Sequence, residues 1–117
     1  MAIDKELLKG STSLLVLKLL NTEDMYGYQI IKELKLKSED IFELKEGTLY
    51  PILHSLESNG IIESYWEQSE SARKRKYYKI TPKGKEFLKE KEQEWNTYAN
   101  AIKKVLGGGA LCEQGSF

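Results

Sequence analysis

One run, Glu43 to Ile62, constrains this chain more than any other. Leu49, Ile52, Leu53 and Leu56 recur at i, i+3, i+4 and i+7, the spacing of a single helical face. Thr48, Pro51, His54, Ser55 and Ser58 fall on the opposite face. A proline deep in a helix deletes a backbone hydrogen bond and crowds the carbonyl four residues back. Pro51 is therefore expected in the first turn, where a missing N–H matters little, with Thr48 as the N-cap. Asn59-Gly60 is expected as a left-handed stop, with Ile61 folding back onto the helix. A short helix with an apolar back and a polar front must lie on a core with its front exposed.

The flanking segments supply that core. Asp4 to Leu20 reads as a first helix, and its second half is apolar almost all round, which calls for cover on more than one side. Asn21 to Met25 reads as a polar turn. Tyr26 to Leu36 reads as a second helix with Gly27, Ile30, Ile31 and Leu34 inward. Gly27 weakens a helix relative to alanine, so another helix is expected to approach it closely. Lys37 to Asp40 is a loop, and Ile41 to Leu44 an expected short extended piece. Two short helices, the second with a polar face, make a helix-turn-helix candidate.

After the helix come two stretches rich in β-branched and aromatic residues, Ile61–Trp66 and Arg73–Ile80, expected as a hairpin. A hairpin directly behind a helix-turn-helix is a wing. Thr81-Pro82 opens a last helix, Thr81 as N-cap and Pro82 at the first helical position, running to about Leu106. Along it Leu88, Trp95 and Ile102 recur every seven residues, and Tyr98 and Val105 share a neighbouring row that Lys91 interrupts. This imperfect heptad predicts self-association through Leu88, Trp95, Tyr98, Ile102 and Val105. Gly107 to Gly109 ends the helix. The remaining tail has no periodicity and is expected to be mobile.

The fold class expected is mainly α with a small β-hairpin: a winged helix-turn-helix domain over residues 1–80, a long C-terminal dimerisation helix over 81–106, and a tail over 107–117. The first helix is expected to share in the dimer interface.

Charge narrows the function classes. The 117 residues carry 18 cations and 18 anions, with pI near 6.6. A balanced chain does not advertise nucleic acid globally, so any such footprint must be local. Arg73, Lys74, Arg75, Lys76, Lys79, Lys83 and Lys85 occur with no acid among them, whereas Glu86, Glu90, Glu92 and Glu94 follow. Strand alternation puts Arg73, Arg75 and Tyr77 on one side of the hairpin and Lys74, Lys76 and Tyr78 on the other, so one set is expected to face DNA.

Catalysis lacks its constellations. The single histidine, His54, and single cysteine, Cys112, lie in different regions, and there is no nucleophile elbow. No metal-ligand spacing exists. Gly107–Gly109 follows a helix instead of opening one, so it is no phosphate cradle. The expectation is a non-enzyme with no cofactor and no metal. One cysteine allows no intrachain disulfide. The longest apolar run, Leu14–Leu20, is interrupted by Lys18 and is too short to span a bilayer. A cytoplasmic protein without a membrane partner is expected, nucleoid-associated when on DNA.

The strings Gly47-Thr-Leu-Tyr-Pro51, Leu53-His-Ser-Leu-Glu-Ser-Asn-Gly-Ile-Ile62 and Arg75-Lys-Tyr-Tyr-Lys-Ile-Thr-Pro-Lys-Gly84, at this separation, resemble the PadR family of bacterial winged-helix transcriptional regulators. The resemblance covers residues 3–106 and is to the short type with one C-terminal dimerisation helix. It implies a homodimer that binds a pseudo-palindromic operator in double-stranded DNA and represses transcription. It also implies that Thr48 and Tyr50 lie on the DNA-facing side. From the residues themselves, Thr48, Tyr50, Pro51 and His54 sit at the helix end that meets bases, with Arg73, Lys74, Arg75 and Lys76 set for phosphates. In the part of the family that binds drug-like aromatics, a tryptophan matching Trp95 stacks on the ligand at the dimer centre. A matching wall here comprises Leu14, Lys18, Leu88, Glu92 and Ala99, for a planar aromatic small molecule. Lys18 and Glu92 make this wall more charged than a purely apolar pore; if they pair, the site is shut. Two rival readings keep the fold: a winged-helix module that meets protein, and a small-molecule-binding dimer with no DNA role.

Overall fold

The computed structural model describes residues 11–68 and 73–107. In chain order these form α1 (Thr12–Thr22), β1 (Met25–Tyr26), α2 (Gly27–Lys37), α3 (Glu46–Ser58), β2 (Ile62–Gln68), β3 (Lys74–Ile80) and α4 (Pro82–Val105). The expected helix start at Asp4 and the tail from Gly108 lie outside the described residues. The strands form one antiparallel sheet in the order β1-β3-β2. The class is the one expected, mainly helical with a small sheet, a winged helix carrying a long last helix.

The core joins every element. Val16, Leu17, Leu19 and Leu20 of α1 meet Ile30 and Leu34 of α2, and Leu49, Leu53 and Leu56 of α3. Ile62, Tyr78 and Ile80 close it from the sheet and Leu88 from α4. The i, i+4, i+7 series on α3 is thus buried as expected, with Ile52 at its edge. At about 25 cal/mol per Å² of apolar surface removed from water, such side chains each contribute about 1.5–3 kcal/mol.

Three local expectations are corrected. Met25 and Tyr26, expected at a turn and at the start of a helix, form a strand paired with Tyr78 and Tyr77 of β3, and Met25 is buried. The segment 41–45 contains no strand; it is a linker whose Leu44 is buried. Helix α3 begins at Glu46, with Lys45 as N-cap and no side-chain cap. Thr48 is therefore in its first turn, not at the cap, and Pro51 lies inside the helix. The reason is Leu49, which is fully buried. Its side chain meets the core only if the turn containing it is already helical. The helix accepts the loss of one bond, that to the Gly47 carbonyl, to bury it.

Two consecutive non-glycine residues, Glu39 and Asp40, have φ of 53° and 68°. They turn the chain sharply after α2, where the Asp40 N–H reaches the Lys35 carbonyl at 2.8 Å.

At the other end of α3 the stop is the one read from sequence. Gly60 has φ of 73°. Its N–H meets the Glu57 carbonyl at 3.0 Å, and the Ile61 N–H meets the Leu56 carbonyl at 2.9 Å, a complete Schellman motif. Thr81 caps α4, its Oγ1 accepting from the Gly84 N–H at 2.9 Å. The same hydroxyl donates toward the carbonyls of Gly60 and Ile61, at 2.7 and 3.0 Å. Gly84 lies directly beneath the Ile61 carbonyl, where a β-carbon would collide with it and with the Ile80 side chain.

Two glycines are thus needed for different reasons. Gly60→Ala should lower stability by about 1 kcal/mol, the strain of a left-handed alanine. Gly84→Ala should lower it by about 2–3 kcal/mol through overpacking, with backbone moved at the α3–α4 junction. Urea denaturation of both variants gives the comparison.

Candidate nucleic-acid interface

The polar front of α3 is open to solvent: Thr48, Pro51, His54, Ser55 and Ser58 are all exposed. Tyr50 is 43% exposed, and its ring and hydroxyl fill the space above Gly27 that any side chain there would claim. The close approach expected at Gly27 is therefore made by Tyr50 of α3. Tyr50 also lies near Tyr78; that hydroxyl's pKa is raised by burial first, then by Tyr50 and by Glu57. Tyr50 thus ties the exposed tip of α3 to the start of α2.

The wing is sided. In register, Ile62, Ser64, Trp66 and Gln68 of β2 stand opposite Ile80, Tyr78, Lys76 and Lys74 of β3. Alternation puts these residues on the face where Tyr78 and Ile80 enter the core. Helix α3 lies on this side too, since the Ser64 hydroxyl donates to Glu57 at 2.6 Å. The other face carries Glu63, Tyr65 and Glu67 opposite Lys79, Tyr77 and Arg75.

That outer face is a built aromatic cluster. Tyr26 meets Tyr77 edge-on at 5.5 Å, and Tyr65 stacks on Tyr77 at 5.7 Å. The Arg75 guanidinium lies 4.4 Å from the Tyr26 ring centre. The Tyr65 hydroxyl donates to Asp24 Oδ2 at 2.7 Å, and this bond, ahead of any desolvation, pushes its pKa up to about 12. The cluster links β1 to the hairpin. Its signal in sequence was the alternation of Tyr65 with Glu63 and Glu67, but without β1 the Tyr26 partner could not be found.

The residues expected at a dimer centre fall into two groups. Leu88 is buried inside its own chain, 4% exposed, so it belongs to the core and offers almost nothing to a partner. The heptad row divides here because the first turns of α4, at Gly84 and Leu88, pack on their own domain. Farther along, Trp95, Tyr98, Ile102 and Val105 are all exposed, Val105 at 86%. Trp95 and Tyr98 lie 6.0 Å apart between ring centres. Leu14 and Ala99 are half-buried. Lys18 and Glu92 do pair, with Nζ 3.1 Å from both carboxylate oxygens, which is the condition under which sequence reasoning reads that recess as shut.

Among the described residues no three His, Cys, Asp or Glu side chains are arranged to hold a metal ion, and no helix is long and apolar enough to cross a membrane.

The model of the Transcriptional regulator PadR-like family matches residues 16–90, which takes in the core, α3, the wing and the start of α4. The chain belongs to this family. A transcriptional regulator from Clostridium thermocellum is similar in structure, with a TM-score of 0.80 at 37% identity over 87% of this chain and 96% of that one. A PadR family transcription regulator from Clostridium difficile R20291 gives 0.71 at 38% identity, over 82% and 98%. An uncharacterized protein of Lysinibacillus sphaericus is 36% identical over 106 residues, 91% of this chain and 97% of that protein. This PadR-like chain is a transcriptional regulator, not an enzyme.

The Tyr65–Asp24 bond predicts an alkaline dependence. A tyrosine whose folded pKa exceeds its unfolded value near 10 stabilises the fold fully below that value and loses the contribution as pH rises toward about 12. Tyr65→Phe should flatten the stability profile between these limits. Ultraviolet titration of the tyrosinates should show one late-ionising group missing from the variant.

Proposed function

We propose that this PadR-like regulator is a homodimeric, sequence-specific repressor that binds a pseudo-palindromic operator. The observation that carries the reading is the exposed polar front of α3 beside a wing bearing the Arg73–Lys76 run. Thr48, Tyr50, Pro51 and His54 would meet the major groove, where hydroxyls and imidazole can address base edges and the proline ring a thymine methyl. The wing cations would hold phosphates, which set register without reading sequence.

Footprinting on the DNA upstream of its own gene tests the assignment. A protected, two-fold symmetric site with steep salt dependence supports it. Thr48→Ala should lower the ratio of operator to mutated-operator affinity by about tenfold, in line with about 1–3 kcal/mol for a base contact. Tyr50→Phe should act in the same direction, through the placement of the α3 tip over Gly27. Absence of binding at any salt concentration would favour a protein-interaction module.

The dimer is proposed from α4. Trp95, Tyr98, Ile102, Val105 and Leu106 leave more apolar surface in water than a small domain ordinarily does, and a second copy would cover it by a two-fold contact. Ile102→Asp should convert the dimer to monomer or aggregate in sedimentation, because a carboxylate without a partner is costly to bury. A ligand arm is proposed on the same contact. A planar aromatic compound would stack between two copies of Trp95, and its charged edge would have to open the Lys18–Glu92 pair. In a Trp66→Phe background, saturable quenching of Trp95 by a flat cationic dye supports this arm. No quenching by a panel of planar aromatics removes the arm while the DNA reading stands.

A further inference from the structure

Trp66 is 65% exposed, yet it lies in the middle of a well-paired strand and not at a loop tip. It stands on the α3 side of the wing, opposite Lys76. Lys76 is half-buried, its ammonium 5.7 Å from the Tyr78 ring centre, so its stem leans along β3 toward the base of the wing. Lys74 follows on the same face, one pleat nearer the tip, opposite Gln68.

Charge separates the two faces. On the outer face each described cation of β3 has an acid opposite: Lys79 has Glu63 and Arg75 has Glu67. Arg75 is also held over Tyr26. On the α3 face, Lys74 and Lys76 stand opposite an amide and an indole, and among the described residues of the two strands that face has no acid. Glu57 of α3 approaches this face one pleat nearer the base, where its carboxylate accepts the Ser64 hydroxyl and lies close enough to Tyr78 to raise that phenol's pKa. Over the paired residues the outer face is thus close to neutral, while toward the tip the face turned toward α3 is cationic around one exposed aromatic, Trp66.

We infer that the wing meets DNA with its α3 face only, Lys74 and Lys76 holding backbone phosphates while the Trp66 indole packs on the deoxyribose between them. This rests on the DNA-binding reading and sharpens it. Arg75, although central to the cation run, is a structural residue that fastens the hairpin to β1. A polyanion seeks unneutralised cations. An apolar plate flanked by two of them suits the sugar, which is the apolar part of a phosphodiester chain. Such a contact reads no bases, so it belongs to affinity and register. The same surface would serve poorly for an apolar protein partner, since two lysines border the indole and would lose hydration without an acid to receive them.

The test uses the full chain and a random-sequence DNA duplex, for which base readout plays no part. Lys76→Ala and Lys74→Ala should each reduce the dependence of log affinity on log salt by about one. Arg75→Ala should leave that slope unchanged while lowering thermal stability. Trp66→Ala should weaken binding about tenfold with the slope intact, since it removes apolar burial and no charge. Trp66→Phe should recover most of the loss. In a Trp95→Phe background, duplex should change Trp66 emission saturably. Trp66 is largely exposed, so its substitution leaves the core undisturbed, which circular dichroism verifies. If the wild type binds duplex but Trp66→Ala binds equally well, or if Arg75→Ala lowers the slope and the two lysine variants do not, the siding of the wing is wrong and DNA binding stands. If the wild type binds no duplex at low salt, both readings fall together.

Discussion

A single backbone oxygen, the carbonyl of Ile61, joins the end of α3 to the start of α4. It accepts from the Thr81 N–H at 3.1 Å and from the Thr81 hydroxyl at 3.0 Å, and Gly84 packs directly under it. The Lys83 ammonium reaches the Asn59 carbonyl at 2.9 Å, placing a cation at the C-terminal end of α3, where the helix dipole favours one. The end of α3 and the beginning of α4 are therefore one corner. Ile61 and Ile62, both buried, anchor it in the core. Whatever direction α4 takes, α3 takes a fixed angle to it. In a two-fold assembly through α4, the separation of two α3 helices follows from how two α4 helices cross.

The two ends that meet in the corner were legible because each is a local signal, whereas the bonds from Thr81 and Lys83 back to residues 59–61 span twenty or more residues and were not. Asn59-Gly60 and Thr81-Pro82 are stop and start signals whose partners lie within a few residues. The apolar back of α3 was legible for the same reason, since a periodic face needs no knowledge of its neighbours. Strand β1 was not. Two residues cannot show alternation, and Met25-Tyr26 becomes a strand only because β3, far along the chain, offers its edge. The start of α3 was misplaced because proline is a strong local signal and the burial of Leu49 is a tertiary one; the tertiary demand prevailed. Leu88 went astray by the same logic. A seven-residue recurrence says that a face is apolar, not whether its own domain or another molecule covers it.

The candidate interface shows a similar division. The exposure of Thr48, Pro51 and His54 followed from helical period alone. The placement of Tyr50 over Gly27 did not, since it depends on how α3 crosses α2. Along the wing, composition drew attention to four consecutive cations, whereas register with β2 sorts them by the company they keep. A run of like charge in sequence becomes, on a pleated hairpin, two populations with different neighbours, and only pairing tells them apart.

Pro51 carries a last consequence. Without its N–H, the Gly47 carbonyl has no donor at i+4, and the turn before it has no side-chain cap. Leu49 pins that turn from beneath, while the ladder resumes beyond the proline. Helix α3 is thus held in two different ways: by its hydrogen-bond ladder from Ile52 to the Schellman stop, and over its first turns by side chains, Leu49 in the core and Tyr50 over Gly27. Where the backbone forgoes a bond, packing supplies the anchor, so the direction in which this helix begins is set by its neighbours more than by its own main chain.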